Sequence, residues 1–239
     1  MDTPVLERIG ALRIVPVVVV DGAEEGLRLA DALLAGGLPV AEITLRLPGA
    51  LDALAAVAAE RPDVLVGAGT VVTERQVDEA VDAGAAFLVS PGLHEPVVRR
   101  AQERGVPILP GVATASDLMR AVALGLDVVK LFPAGVVGGP AAIKALGAPF
   151  PRMRFMPTGG VSAANLGDYL ALPAVLAAGG SWMVERSLVT AGDWDEVARR
   201  TREAVALAAP EAPVTTPAST SAGTPVSTST ITATAGKEA

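Results

Sequence analysis

Short β-rich apolar runs recur along the chain at Ile14–Val20, Val40–Thr44, Val64–Gly67, Ala86–Val89, Pro107–Leu109, Val128–Leu131, Arg154–Pro157 and Ala174–Ala177. Each is followed by a stretch with helical periodicity, in patterns such as Ala23–Ala35, Ala50–Glu60, Thr73–Ala83, Glu95–Glu103, Ala115–Ala123 and Ala163–Tyr169, which place apolar residues three and four apart and keep their charges on the other face. The alternation makes eight strand-and-helix units. Units of about 20 to 25 residues suit parallel strands joined by crossover helices. A closed eight-stranded barrel and an open doubly wound sheet both satisfy this spacing. The barrel is preferred, because there are eight units without a long break between halves, and no Gly-x-Gly-x-x-Gly follows Val20. The expected fold is therefore α/β, a TIM (β/α)8 barrel of parallel strands over residues 1–209.

From Pro210 to Ala239 the composition changes to Thr, Ser, Ala and Pro. Too few large apolar groups remain there to offset the entropy of ordering the segment, so a disordered C-terminal tail of about 30 residues is expected.

Composition agrees with the pattern. Of 239 residues, 51% are hydrophobic and only 3% aromatic, so the core must be built from Ala, Val, Leu and Ile, the usual filling of α/β folds. A net charge of -7, from 19 basic and 26 acidic residues with no basic cluster, argues against nucleic-acid and acidic-membrane partners. No basic leader opens the chain and no apolar run approaches the roughly 18 residues of a membrane span, so a soluble cytoplasmic protein is expected. Without cysteine there are neither disulfides nor thiolate metal sites. The mean hydropathy of +0.47 is high for a soluble monomer and is consistent with an apolar subunit interface.

Lys130 is one of three lysines among sixteen arginines and ends the apolar run Asp127-Val128-Val129-Lys130-Leu131-Phe132-Pro133. Arginine cannot give up its proton in a protein, whereas a lysine desolvated among apolar groups can act as a neutral amine and attack a carbonyl. A structural ion pair at a strand end is the competing reading of the same residue.

Active sites of such barrels lie at the C-terminal ends of the strands. The second strand ends Glu42-Ile43-Thr44-Leu45-Arg46, and alternation sends Glu42, Thr44 and Arg46 toward the interior or its mouth. Buried charges need partners, so the pair is there to act or to bridge the barrel. The third strand ends Gly67-Ala68-Gly69-Thr70, the fourth Ser90-Pro91-Gly92. After the seventh comes Thr158-Gly159-Gly160-Val161-Ser162, with Ser162 the expected N-cap of the next helix, and after the eighth Gly179-Gly180-Ser181-Trp182. Glycine pairs in those two loops match the usual phosphate site of the barrel.

Glu42-x-Thr44-Leu45-Arg46, Gly67-Ala68-Gly69-Thr70, Ser90-Pro91-Gly92, Lys130-x-Phe132-Pro133-Ala134, Thr158-Gly159-Gly160-Val161 and Gly179-Gly180-Ser181-Trp182, in that order and spacing, resemble 2-keto-3-deoxy-6-phosphogluconate aldolases over about residues 4–208. The resemblance implies a class I, metal-independent lyase without a cofactor. Such an enzyme cleaves that substrate to pyruvate and glyceraldehyde 3-phosphate in the Entner–Doudoroff pathway, often also cleaves 4-hydroxy-2-oxoglutarate to pyruvate and glyoxylate, and is commonly a homotrimer. It makes Lys130 the Schiff-base lysine and Glu42 the general acid and base. Arg46, Thr70 and the backbone around Pro91 would hold the substrate carboxylate, Phe132 would pack on the imine, and Thr158, Gly159, Gly160, Gly180 and Ser181 would receive the phosphate.

One departure stands out. Some relatives carry an arginine late in the first strand, where this chain has Val17-Val18-Val19-Val20, leaving the phosphate to the amides and Ser181. His94, the only histidine, reads as a solvated first-turn helix residue, Trp182 and Trp194 as packing residues, and Tyr169 as part of a helix face. Two other readings compete with the aldolase: a related pyruvate aldolase with a different aldehyde partner, and a non-catalytic oligomeric barrel scaffold.

Overall fold

In the computed structural model, which describes residues 4–210, the strands are β1 (Ile14–Val18), β2 (Val40–Thr44), β3 (Leu65–Gly69), β4 (Leu88–Val89), β5 (Ile108–Leu109), β6 (Gly111–Val112), β7 (Val128–Leu131), β8 (Arg154–Pro157) and β9 (Ala178–Gly180). The helices are α1 (Pro4–Leu12), α2 (Ala23–Ala35), α3 (Ala50–Glu60), α4 (Glu74–Asp82), α5 (Glu95–Glu103), α6 (Ala115–Ala123), α7 (Gly139–Gly147), α8 (Leu166–Leu170), α9 (Arg186–Ala191) and α10 (Trp194–Ala208). Apart from Pro210, the tail expected from that residue onward lies outside the described residues. No described helix is long and apolar enough to cross a membrane.

The strands form a parallel α/β architecture on a curled sheet. One ladder has the order β5-β4-β3-β2-β1-β9 and a second the order β6-β7-β8. The expected fifth strand, Pro107–Leu109, is observed as β5, and a further short strand not expected from the sequence, β6, follows Pro110, which has no N–H to give a ladder. β5 pairs with β4 and β6 with β7, so the chain changes partners at the proline. The Pro110 carbonyl accepts from the Lys130 amide at 2.9 Å, which fixes the backbone of that lysine. At the other end, isolated bridges join Phe155 to Val175 and Thr158 to Gly179.

Several expected boundaries move, each for a local reason. β1 ends at Val18 rather than Val20, because side chains take the next carbonyls: the Thr44 hydroxyl donates to Val18 at 2.7 Å and Arg186 to Val19 at 3.1 Å. β3 runs on through Gly69, held along its whole length by β2. The last strand is β9 at Ala178–Gly180, not Ala174–Ala177. Glycine has low β-propensity, but pairing of Ile14, Val15 and Pro16 with Ala178, Gly179 and Gly180 sets the register and puts both glycines inside the strand. Ser162 is not a helix N-cap. Its amide donates to Asn165 Oδ1 at 2.8 Å, which closes a turn and delays α8 to Leu166.

Elsewhere local signals and structure coincide. α4 and α6 start on capping boxes, Thr73 with Gln76 and Thr114 with Asp117. His94 is the exposed N-cap residue of α5. The core is aliphatic, with Phe87, Phe155 and Tyr169 its largest fully buried side chains. Each fully buried Leu, Ile or Val contributes about 1.5–3 kcal/mol against the chain entropy.

Candidate active site

Lys130 sits in β7, all four of whose residues are buried, and is itself only 5% exposed. Its Nζ lies 3.3 Å from Oε1 of Glu42, which comes from β2 and is 0% exposed. The other carboxylate oxygen, Oε2, is buried without a hydrogen-bond partner. A buried acceptor left unpaired is costly, and no described residue supplies Oε2 with a donor. The approach depends on Gly69. A Cβ there would stand 2.3 Å from Glu42 Oε1 and 2.7 Å from its Cγ, so only glycine leaves the carboxylate its place.

Phe132, one step past β7, puts its ring centroid 5.2 Å from Lys130 Nζ. At the end of β2, Arg46 is exposed, and its Nε donates to the Thr70 hydroxyl at 3.3 Å. Thr70 has φ +63, a left-handed conformation that strains a β-branched residue by about 1–2 kcal/mol. Strain of this kind persists only where the surroundings hold it, here beside Arg46, which lines a cavity.

That cavity, about 460 Å³, is lined by Val17, Val19, Arg46, Lys130, Phe132, Thr158, Gly159, Gly160, Val161, Gly179, Gly180, Ser181, Val184, Glu185 and Arg186. After β8 the chain turns through Gly159 and Gly160, at φ 88 and 81. The carbonyls of Thr158, Gly159 and Gly160 are occupied by Ala134, Gly135 and Asn165. Among the described residues the amides of Gly160 and Val161 have no acceptor, so they are available to an anion. Ser181, just after β9, adds an exposed hydroxyl.

Of the residues singled out from the sequence, Arg46, Lys130, Phe132, Thr158, Gly159, Gly160, Gly180 and Ser181 share this cavity. Glu42 stands behind Lys130, and Thr70 reaches the cavity through Arg46. Pro91 is not among the lining residues; its carbonyl packs over Gly111. Gly180 lines the cavity from within β9 rather than from a loop. Trp182 and Trp194 pack against the core as expected, and Tyr169 is buried.

Arg186 was not foreseen. It is the first residue of α9 and no motif marks it, yet it lines the cavity and forms a two-contact ion pair with Glu25 of α2. Burial pushes the Glu25 carboxyl up, but hydrogen bonds from Arg186 and the Asp21 amide, with the Arg186 charge, outweigh this and hold it below its ordinary value.

The family model described as KDPG and KHG aldolase matches residues 5–200. A KHG/KDPG aldolase of Escherichia coli K12 is 48% identical over 192 residues, covering 80% of this chain and 90% of that one. A 2-dehydro-3-deoxy-phosphogluconate aldolase of Pseudomonas aeruginosa is 50% identical over 193 residues, covering 81% and 88%. Among solved structures, a KDPG aldolase from Legionella pneumophila, with pyruvate captured at low pH as a covalent carbinolamine intermediate, superposes with a TM-score of 0.80 at 39% identity, covering 82% of this chain and 96% of that one.

Proposed function

Because this chain belongs to the KDPG and KHG aldolase family, we propose that it is a class I aldolase cleaving 2-dehydro-3-deoxy-6-phosphogluconate to pyruvate and glyceraldehyde 3-phosphate, and 4-hydroxy-2-oxoglutarate to pyruvate and glyoxylate. The observation that carries this reading is the buried Lys130–Glu42 pair, 3.3 Å apart, at a cavity with unpaired backbone amides on its rim.

The amine of Lys130 adds to the C2 carbonyl of the substrate, and loss of water from the carbinolamine leaves a protonated imine. Glu42, next to Nζ, gives and takes the protons that addition and dehydration require. The imine is an electron sink. Once the carboxylate removes the C4 hydroxyl proton, the C3–C4 bond breaks, the aldehyde leaves and its bonding electrons become the enamine. The enamine then takes a proton at C3, and hydrolysis returns pyruvate and the free amine. Glu42 Oε2 is suited to the C4 proton, since it has no other partner. Phe132 shields the imine carbons from water. Arg46, supported by Thr70 and the backbone near Pro91, holds the carboxylate of the substrate, and Thr158, Gly159, Gly160, Gly180 and Ser181 hold its phosphate.

The same reading takes the strands as a closed (β/α)8 barrel. Support comes from the single proline between β5 and β6 and from the bridges joining β8 to the segment of β9. It also takes the working form to be a cytoplasmic homotrimer, for which the exposed Met119, Val122 and Val136 offer apolar contact surface.

Incubation with pyruvate followed by borohydride and peptide mass spectrometry is the test. A reduced pyruvyl group on Lys130 is expected. Folded protein without an adduct would remove the imine mechanism and leave a phosphate-binding barrel of other chemistry.

A further inference from the structure

We infer that Arg186 is a specificity-determining residue of the same cavity, supplying a side-chain cation to the distal phosphate of the substrate. The inference rests on the proposed phosphate end and names the group that lets the enzyme tell a phosphorylated substrate from an unphosphorylated one.

The end of β1 and the residues that follow it, Val17, Val18, Val19 and Val20, offer no donor side chain to the cavity. Arg186 fills that gap from another element. One Nη1 proton goes to the Val19 carbonyl at 3.1 Å, so the guanidinium is seated directly over the end of β1. Glu25 takes the second Nη1 proton and one Nη2 proton, the latter at 3.3 Å, which locks the plane of the group. A guanidinium has five N–H donors. Among the described residues Nε and the remaining Nη2 proton have no acceptor, so donors remain after the anchoring contacts are made.

The distribution of charge around the cavity fits two anionic ends. Arg46 leans toward β3 through Thr70, whereas Arg186 leans toward β1 and α2. In the ladder β3-β2-β1-β9 these lie on opposite sides of β2, and Gly180 and Ser181 follow on the Arg186 side. Glu185, the acidic residue lining the cavity next to Arg186, is engaged by Arg200 at 3.4 Å. Glu25 is ionised against Arg186, so the pair is neutral at rest, and a phosphate dianion arriving at the unused donors turns the arginine into a bridge between two acceptors. Phosphate is preferred to a second carboxylate here because, besides the two free Arg186 donors, the cavity presents the Gly160 and Val161 amides and the Ser181 hydroxyl, five donors where a carboxylate has about four lone-pair sites.

The test uses the full chain and two substrates, 2-keto-3-deoxy-6-phosphogluconate and its unphosphorylated counterpart. In the unsubstituted enzyme the phosphorylated substrate should have much the higher kcat/KM. Arg186→Gln, which keeps most of the side-chain volume, should lower that ratio about ten- to hundredfold, through KM, as expected for losing a charge-assisted hydrogen bond. Arg186→Lys should restore part of it. Inorganic phosphate should inhibit the unsubstituted enzyme competitively, and Arg186→Gln should weaken that inhibition in parallel. Borohydride trapping of pyruvate by Arg186→Gln checks that the lysine end of the cavity still forms. A ratio that stays within about twofold in Arg186→Gln, with the parent enzyme strongly phosphate-selective, overturns the role of Arg186 and leaves the phosphate site to the amides. A parent enzyme without phosphate selectivity overturns the phosphate end itself, and the inference falls with it.

Discussion

Lys130 Nζ and Glu42 Oε1 stand 3.3 Å apart although 88 residues separate them, and each is the other's only ionic partner among the described residues. A buried pair of this kind is asymmetric in energy. Removing one member strands a charge, whereas replacing both by uncharged groups is close to neutral. Lys130→Met should therefore abolish cleavage and also destabilise the fold by about 3 kcal/mol. Adding Glu42→Gln should recover most of that stability without any activity. Urea titration of the two variants reads this out; a single variant as stable as the parent would show that the pair is not dry.

Glu42→Gln alone separates binding from turnover. Pyruvate should still be trapped on Lys130 to the same final extent, though more slowly, while kcat for cleavage falls about 10²–10⁴-fold, the usual worth of a positioned acid and base. An equal fall in trapping and turnover would mean that Glu42 serves only to position the amine.

Gly69→Ala should act through Glu42 rather than directly. Its Cβ would lie 2.3 Å from Oε1, so the carboxylate must swing away from Lys130 or β3 must shift. A destabilisation of about 1–3 kcal/mol is expected from the overpacking, with a loss of kcat comparable to that of Glu42→Gln. Full activity in Gly69→Ala would show that the pair tolerates a longer separation.

α10 gives a pH dependence whose sign follows from one residue. Hydrogen bonds from Arg199, then from Arg200, outweigh the upward push of burial and hold Glu196 at about 2, below its ordinary 4.5. The folded state thus binds the proton less readily than the unfolded chain. The stabilisation is fully present above pH 4.5, declines as the pH falls from there toward 2, and vanishes below. Glu196→Gln should lower Tm at neutral pH and lose that difference in acid. A Tm difference that persists at pH 2 would place the effect in packing. The link matters for the site because Arg200 also donates to the Trp182 carbonyl at 3.1 Å, tying α10 to the turn that carries Ser181.

Although α1, α7, α9 and α10 were not singled out, the order of the strands and of helices α2 to α6 and α8 was legible in the sequence because it depends on periodicity, and periodicity is local. The same holds for the candidate site as far as it is written in strand ends: Glu42, Arg46 and Lys130 are singled out by a charge where alternation demands an inward residue. What escaped were features set by pairing with distant segments. β9 lies over Gly179 and Gly180, which local propensity assigns to a loop, because β1 fixes its register. The further short strand β6 follows the fifth at Pro110, where the chain exchanges β4 for β7.

The sequence by itself determined the alternating α/β plan and the aliphatic core, and it singled out Lys130 as the candidate amine. Each follows from the character of neighbouring residues. Only the tertiary structure decided that Glu42 reaches Lys130 through the space Gly69 leaves, and that Arg186, on a surface helix with no motif around it, turns back over the end of β1. A residue's chemistry is carried in its own side chain, but its partner is chosen by the curling of the sheet, and no local pattern encodes a distance across it.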